Sequence, residues 1–231
     1  LSLHDALPIS IVHVLDSYCV DEVFDMPWVG LITSSLSMLT ALPFLSGVLP
    51  FTTVAPMSGE AVGLCILSGV LYMASQLLYF HALATTESGI VAAYWNFIPL
   101  FLILASNALL GEVLSGAQYA GSAVLIASSV AFCLLDGLES RWLSFWMMLA
   151  GALLQVAYFL IQKRLFASCP VYQAFLVTTL SMAITGLSPM LLPRFRCLFL
   201  DNLPRIRSSI RLLLGIEMAN LAAVGTSQYA V

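Results

Sequence analysis

The chain contains two long runs of apolar residues that carry no charge and are separated by only a short break. The runs are residues 88–110 and 113–135, and Gly111 and Glu112 lie between them. About 20 apolar residues in helical form cross the roughly 30 Å of hydrocarbon in a bilayer. We therefore predict that the two runs are membrane-spanning helices joined by a tight turn.

The composition indicates a membrane protein and argues against a nucleic-acid-binding function. Apolar residues make up 61% of the chain, charged residues only 9%, and the mean hydropathy is +1.00, whereas soluble domains contain about 25% charged residues. The net charge of −4 leaves no basic stripe of the kind that binds phosphates. We expect an all-α integral membrane protein whose partner is the lipid bilayer, with no nucleic acid bound.

Charged residues divide the rest of the chain into further spans, because a charge at the bilayer centre is costly. We expect residues 10–15 to be the remainder of a first helix, followed by an acidic loop at 16–25. Further spans are predicted at 27–50, 59–83, 142–162, 171–192 and 212–231, which gives about eight helices in whole or in part. Residues 136–141 are predicted to form a loop, and residues 194–211, which carry five arginines, an interfacial loop.

Both ends of the sequence suggest a truncated reading frame. Residues 1–9, LSLHDALPI, match the in-frame translation of a widely used short-read sequencing adapter. We interpret them as an artefact and leave them out of the fold prediction. The chain also stops at Val231 within an apolar run.

Two short matches indicate an internal repeat. Leu-Ser-Met occurs at 36–38 and again at 180–182. Phe-His-Ala-Leu at 80–83 aligns with Gln-Tyr-Ala-Val at 228–231 at a similar offset. These matches predict a first repeat over residues 10–136 and an incomplete second repeat over 137–231. Because five spans are an odd number, the second repeat must enter the membrane inverted, which is the plan of many secondary transporters.

Polar side chains on several spans fall on common helix faces, since spacings of three, four, seven and eleven residues return to the same side. The resulting candidates for lining a substrate cavity are Tyr72, Gln76, Tyr79, Asn96, Pro99, Gln155, Tyr158, Glu217 and Asn220. Polar groups in hydrocarbon need partners, so these faces are expected to turn toward other helices or a watery cavity. Hydrogen bonding between helices is the alternative interpretation.

Some of these residues leave more than one role open. Pro99 opens a bend that is either a moving hinge or a static kink. Glu217 is predicted to reach the interface, to pair with Arg211, or to act as a coupling proton site. His13 and Asp16, one turn apart, are a further possible pair.

The segment around the first turn resembles a known family. Pro99, Leu110-Gly111-Glu112, Gln118 and Gly121 follow the pattern of the fourth and fifth helices of the EamA-type drug/metabolite transporter superfamily. The resemblance implies a central cavity for a small-molecule substrate, lined by helices one, three, four, six, eight and nine. It also implies export of amino acids or related polar metabolites across the inner (plasma) membrane.

The orientation of the chain in the membrane has two conflicting indications. The family resemblance places both ends of the complete protein in the cytoplasm, which puts residues 194–211 outside. The positive-inside rule favours the opposite arrangement. The two interpretations predict opposite sides for the arginines.

Other functional classes are less well supported by the sequence. A membrane-embedded enzyme needs a nucleophile with a base or a metal cluster, and the chain has no G-x-S-x-G, H-E-x-x-H or C-x-x-C motif. The five scattered cysteines are expected to serve as packing residues. We therefore expect a carrier without cofactor or metal. A non-transporting scaffold or an inert fragment is the alternative. The sequence gives no basis for predicting the oligomeric state.

Overall fold

The computed structural model of the chain describes residues 3–24, 26–48, 57–111, 115–135 and 142–229, and all regular structure in these ranges is helical. The helices are α1 (Leu3–Glu22), α2 (Pro27–Val48), α3 (Gly59–Leu83), α4 (Ser88–Trp95), α5 (Phe97–Leu110), α6 (Gly116–Leu135), α7 (Trp142–Ser168), α8 (Val171–Leu187), α9 (Pro193–Ser208) and α10 (Ile210–Tyr229). A 3-10 turn, Ser188–Leu191, follows α8. The predicted all-helical class is confirmed.

Several segments are long and apolar enough to cross a membrane. They are Gly59–Leu83, Ser88–Leu109, Trp142–Ser168 and Val171–Leu191, with mean hydropathies between 1.6 and 1.8. The second segment comprises α4 and α5 together, and the fourth includes the 3-10 turn after α8. The protein is therefore a multi-pass membrane protein, as the apolar runs predict.

Contacts between helix ends show that α3 and α7 run in opposite directions. The hydroxyl of Thr86, after α3, donates a hydrogen bond of 2.7 Å to the Ser144 hydroxyl in the first turn of α7. At the other end of the pair, Arg164 of α7 forms an ion pair of 3.3 Å with Glu60 in the first turn of α3. Each helix therefore begins beside the end of the other.

Aromatic contacts bring α2 and α9 to the end of the bundle where α3 ends. Trp28, in the first turn of α2, lies 6.2 Å from the ring of His81 and 4.8 Å from the ring of Phe195 on α9, measured between ring centroids. We call this the α9 end of the bundle. The end that carries Glu60 and Arg164 is called the opposite end.

The core forms where α3 packs extensively against α7 and α8. A glycine permits one of these close approaches. A Cβ atom built on Gly69 of α3 would lie 2.7 Å from Cβ of Ser181 and 2.8 Å from the backbone nitrogen of Met182, both on α8. Only a residue without a side chain allows α3 and α8 to approach this closely.

Several predicted helix boundaries are wrong because charged residues lie inside helices. The acidic loop expected at 16–25 is largely helix, since α1 continues to Glu22, and α7 continues past Lys163 and Arg164 to Ser168. The interfacial loop expected at 194–211 is mostly the helix α9, and arginine is itself a good helix former. A charged residue thus marks the depth of the interface and not the end of a helix.

The span predicted over residues 88–110 is interrupted at Asn96, between α4 and α5. Pro99 has no N–H to donate to the carbonyl of Trp95, so the helical hydrogen bond between these residues is absent. The helix is also irregular one turn earlier, where the Asn96 N–H donates to the carbonyl of Ala93, three residues before it, at 3.2 Å. The helix is therefore interrupted three residues before the proline, and the bend expected from Pro99 stays a prediction.

Candidate functional site

A buried carboxyl group lies within α10, two helical turns from its start. Glu217 is 4% exposed, and its Oε2 accepts a hydrogen bond of 3.1 Å from the Ser34 hydroxyl of α2. Its Oε1 has no hydrogen-bond partner among the residues that the structure describes. Two turns correspond to about 10 Å of depth from the α9 end.

A second carboxyl group lies near the first. Oδ2 of Asp16, on α1, accepts a hydrogen bond of 3.1 Å from the hydroxyl of Tyr79 on α3. Asp16 is partly buried, Tyr79 is only 2% exposed, and the carboxyl groups of Asp16 and Glu217 are close enough to interact electrostatically. We call Asp16, Ser34, Tyr79 and Glu217 the carboxyl site.

No buried lysine or arginine balances these acids within the described ranges. The arginines there are exposed, and Lys163, which is partly buried, lies at the opposite end of the bundle. A carboxylate removed from water needs hydrogen bonds or a positive charge to offset its lost hydration. The carboxyl site is therefore suited to accept a cationic group or a proton.

The site does not have the composition of a metal centre. Within the described residues, no group of three or more His, Cys, Asp or Glu side chains could hold a metal ion. The carboxyl site contains two such side chains, Asp16 and Glu217.

Three predicted cavity residues lie between α3 and α7. Oε1 of Gln155 accepts a hydrogen bond of 2.8 Å from Ser75, and the rings of Tyr72 and Tyr158 lie 5.2 Å apart. Gln155, Tyr72 and Tyr158 are all buried. These contacts agree with hydrogen bonding and packing between helices, and a cavity role for the three residues stays a prediction.

Gln162, on the same face of α7, forms a second polar contact between helices. Its amide nitrogen donates to the hydroxyl of Ser68 on α3 at 2.6 Å and to that of Thr178 on α8 at 3.0 Å. One side chain therefore bridges three helices.

The remaining predicted residues lie in different surroundings. Gln76 is partly buried on α3, and Asn96 and Pro99 are partly buried at the junction of α4 and α5. Asn220 is on α10, and its side chain lies outside the described residues, as does that of His13. Tyr79 and Glu217 are the candidates that lie in the carboxyl site.

The structure adds Ser34 to the site, and it bears on two of the three roles considered for Glu217, whereas the third, a coupling proton site, stays a prediction. Ser34 belongs to the run Thr-Ser-Ser-Leu-Ser at 33–37, a polar stretch within an apolar helix that overlaps the repeated Leu-Ser-Met triplet. Glu217 is buried against Ser34, and Arg211 is exposed. The pairing with Arg211 and the extension of Glu217 to the interface are therefore wrong for this structure.

The helical fold and the buried polar site define the class: a multi-pass membrane protein with ionisable groups inside its helical bundle. Residues 24–135, which include α2 to α6, match the family model of the EamA-like transporter family. This segment, a little under half of the chain, is therefore similar to a transporter family, and the match is consistent with a member of the drug/metabolite transporter superfamily. No curated protein matches the chain.

Proposed function

We propose that the protein is a secondary transporter of small polar metabolites such as amino acids, located in the inner (plasma) membrane. The observation that carries the proposal is the pair of carboxyl groups, Asp16 and Glu217, which lie inside the bundle. Within the described residues, no buried lysine or arginine lies beside them. Ionisable residues inside membrane bundles mark substrate and ion pathways. The family match supports the same class of function.

The chemistry of the carboxyl site favours a substrate that carries an ammonium group. An ammonium group offers three N–H donors and a positive charge, and Oε1 of Glu217 is an acceptor with no bonded partner in the described residues. Binding there would supply a hydrogen-bond donor for Oε1 of Glu217 and a positive charge to balance the carboxylate. Amino acids and related amines have this group.

The same oxygens can also accept a proton, which provides a means of coupling. A proton and an ammonium group each neutralise a carboxylate, so the two would compete for Glu217. A carrier whose site holds either one exchanges substrate for proton across the membrane. We therefore include proton exchange in the proposal.

The direction of the helices supports alternating access between two inverted repeats. α2 begins at the α9 end and carries Leu-Ser-Met at 36–38, whereas α8 ends near the α9 end and carries the same triplet at 180–182. α3 and α10 form the second matching pair, and they also begin at opposite ends. Opposite directions of matching helices are expected of repeats over 10–136 and 137–231 that are inverted.

The proposal is tested by transport in proteoliposomes that contain the purified protein. We expect efflux of at least some amino acids from a mixed panel, and a much lower rate for their N-acetyl derivatives, which lack the ammonium group. Glu217→Gln retains the shape of the side chain and removes its negative charge, so we expect it to reduce transport by tenfold or more, an energy of about 1.4 kcal/mol or more.

Glu60→Gln is the matched control, because Glu60 is an exposed acid on α3 at the opposite end. We expect its transport rate to equal that of the wild type. No flux above that of empty liposomes for any compound would contradict the carrier function and favour the scaffold. Equal transport of amino acids and their N-acetyl derivatives would contradict the ammonium-binding role alone.

A further inference from the structure

The helix α9 runs along the end of the bundle and does not cross it. It follows α8 after the 3-10 turn Ser188–Leu191, and α10 begins two residues after it ends. α8 ends and α10 begins at the α9 end, so both ends of α9 join long helices at the same end of the bundle. A helix of 16 residues with this connection lies near the surface of the membrane.

One face of α9 is fixed to the bundle. Phe199, Asn202 and Ile206 are buried, and Phe195 packs against Trp28 of α2 at 4.8 Å. These residues recur at spacings of three and four, which places them on one side of the helix. The rotation of α9 about its own axis is therefore determined by packing.

The neighbouring face of α9 is exposed and combines basic with apolar residues. Arg196, Leu200, Leu203 and Arg207 are all exposed, with Leu200 at 52% and Leu203 at 43%. Their spacings of four, three and four residues place them in one stripe along the helix. We call these four residues the arginine-leucine stripe, in which the arginines lie at both ends and the leucines between them.

Most of the charged residues of α9 are basic. The helix carries four arginines and a single acidic residue, Asp201, which is not part of the stripe. Leu191 and Leu192, just before α9, are also apolar and exposed, at 86% and 56%. A surface of this kind complements a molecule with a phosphate at one position and a hydrocarbon chain beside it.

We propose that the arginine-leucine stripe binds anionic phospholipid, with the guanidinium groups on the headgroup phosphates and the leucines against the acyl chains. Arginine binds phosphate through two parallel hydrogen bonds. Amphipathic helices with basic and apolar faces lie in the membrane interface and favour anionic lipids. The stripe meets both requirements in a helix that already lies at a membrane surface.

The test is lipid binding to the purified protein in detergent, measured by native mass spectrometry. Phosphatidylglycerol and phosphatidylcholine with identical acyl chains are compared. We expect phosphatidylglycerol to remain bound at lower concentration than phosphatidylcholine. The double variant Arg196→Gln/Arg207→Gln is expected to bind phosphatidylglycerol about thirtyfold more weakly, from the typical contribution of two basic residues at a membrane surface.

Arg164→Gln is the matched control, since Arg164 is also exposed but lies at the opposite end in an ion pair with Glu60. It should bind phosphatidylglycerol as the wild type does. Equal binding of the two lipids to the wild type would overturn the proposal without the need for any variant. Unchanged binding by the double variant would also overturn it, and so would complete displacement of the lipid by inorganic phosphate, because the leucines would then contribute nothing.

Discussion

The hydroxyl of Tyr79 donates a hydrogen bond of 3.1 Å to Oδ2 of Asp16 and thereby joins α3 to α1. The Tyr79 ring also packs 5.3 Å from that of Trp95 on α4. One side chain therefore fixes a carboxyl group of the site while its ring fills space in the core. These two contributions can be separated, because phenylalanine retains the ring and lacks the hydroxyl.

We expect Tyr79→Phe to lower the free energy of unfolding by about 1–3 kcal/mol, because a hydrogen bond to a charged or buried acceptor is lost. Thermal unfolding in detergent, followed by circular dichroism, measures the change. Tyr119→Phe is the control, since Tyr119 is exposed on α6 and its hydroxyl accepts only a long bond of 3.4 Å from Asn107. An equal loss of stability in both variants would contradict a specific role for the Asp16 bond.

Two glycines of α3 provide a matched test of helix packing. Gly69→Ala places a Cβ atom 2.7 Å from Cβ of Ser181, and we expect it to destabilise the fold by about 1–3 kcal/mol through overpacking. A Cβ atom on Gly63 meets no atom within 4 Å, so Gly63→Ala should leave stability unchanged or raise it by about 0.5–1 kcal/mol. The thermal midpoints of the two variants decide the question. If Gly69→Ala were as stable as Gly63→Ala, α3 and α8 would not approach as closely as described.

Two partly buried amides are expected to take part in transport. Gln76→Ala and Asn96→Ala should each lower the initial rate by about fivefold or more, because a lost hydrogen bond to a passing substrate costs about 1 kcal/mol or more. Both variants should still insert into the membrane at wild-type yield. Asn107→Ala is the control, since its side chain is exposed on α5. Wild-type kinetics for Gln76→Ala and Asn96→Ala would mean that these side chains serve only packing.

Two native cysteines report the two sides of the membrane. Cys169 lies between α7 and α8 at the opposite end, and Cys197 lies exposed on α9. We expect a membrane-impermeant maleimide on intact cells to label only one of them, in variants that retain that cysteine alone. The orientation implied by the family predicts labelling of Cys197, and the positive-inside rule predicts labelling of Cys169. Labelling of both in intact cells would contradict the assignment of α8 as a span.

The spans could be predicted well because the requirement that creates them is local. Hydrocarbon demands a sufficient number of consecutive apolar residues, and residues 59–83 meet it without any knowledge of neighbouring helices. The predicted limits of this span agree with α3. An irregularity near Pro99 was equally predictable, because the missing N–H belongs to the proline itself.

The partners within the site could not be predicted, because they depend on how each helix rotates and which helices meet. The spacing of Tyr72, Gln76 and Tyr79 identifies a polar face, but it does not show that Tyr79 bonds to Asp16 and that Tyr72 packs against Tyr158. The helical state of α9 was missed for a related reason. Its arginines suggested a loop, whereas its packing against α2 stabilises a helix.

The hydrogen bond between Ser34 and Glu217 joins residues that are 183 positions apart. At ordinary rates of translation, the ribosome needs about 10–40 s to add that length of chain. α2 is therefore made long before its partner α10, and during that time Ser34 lacks the Glu217 carboxyl group as a hydrogen-bond partner. The carboxyl site is completed only when α10 has been synthesised and inserted, so its formation follows the synthesis of α1 to α9.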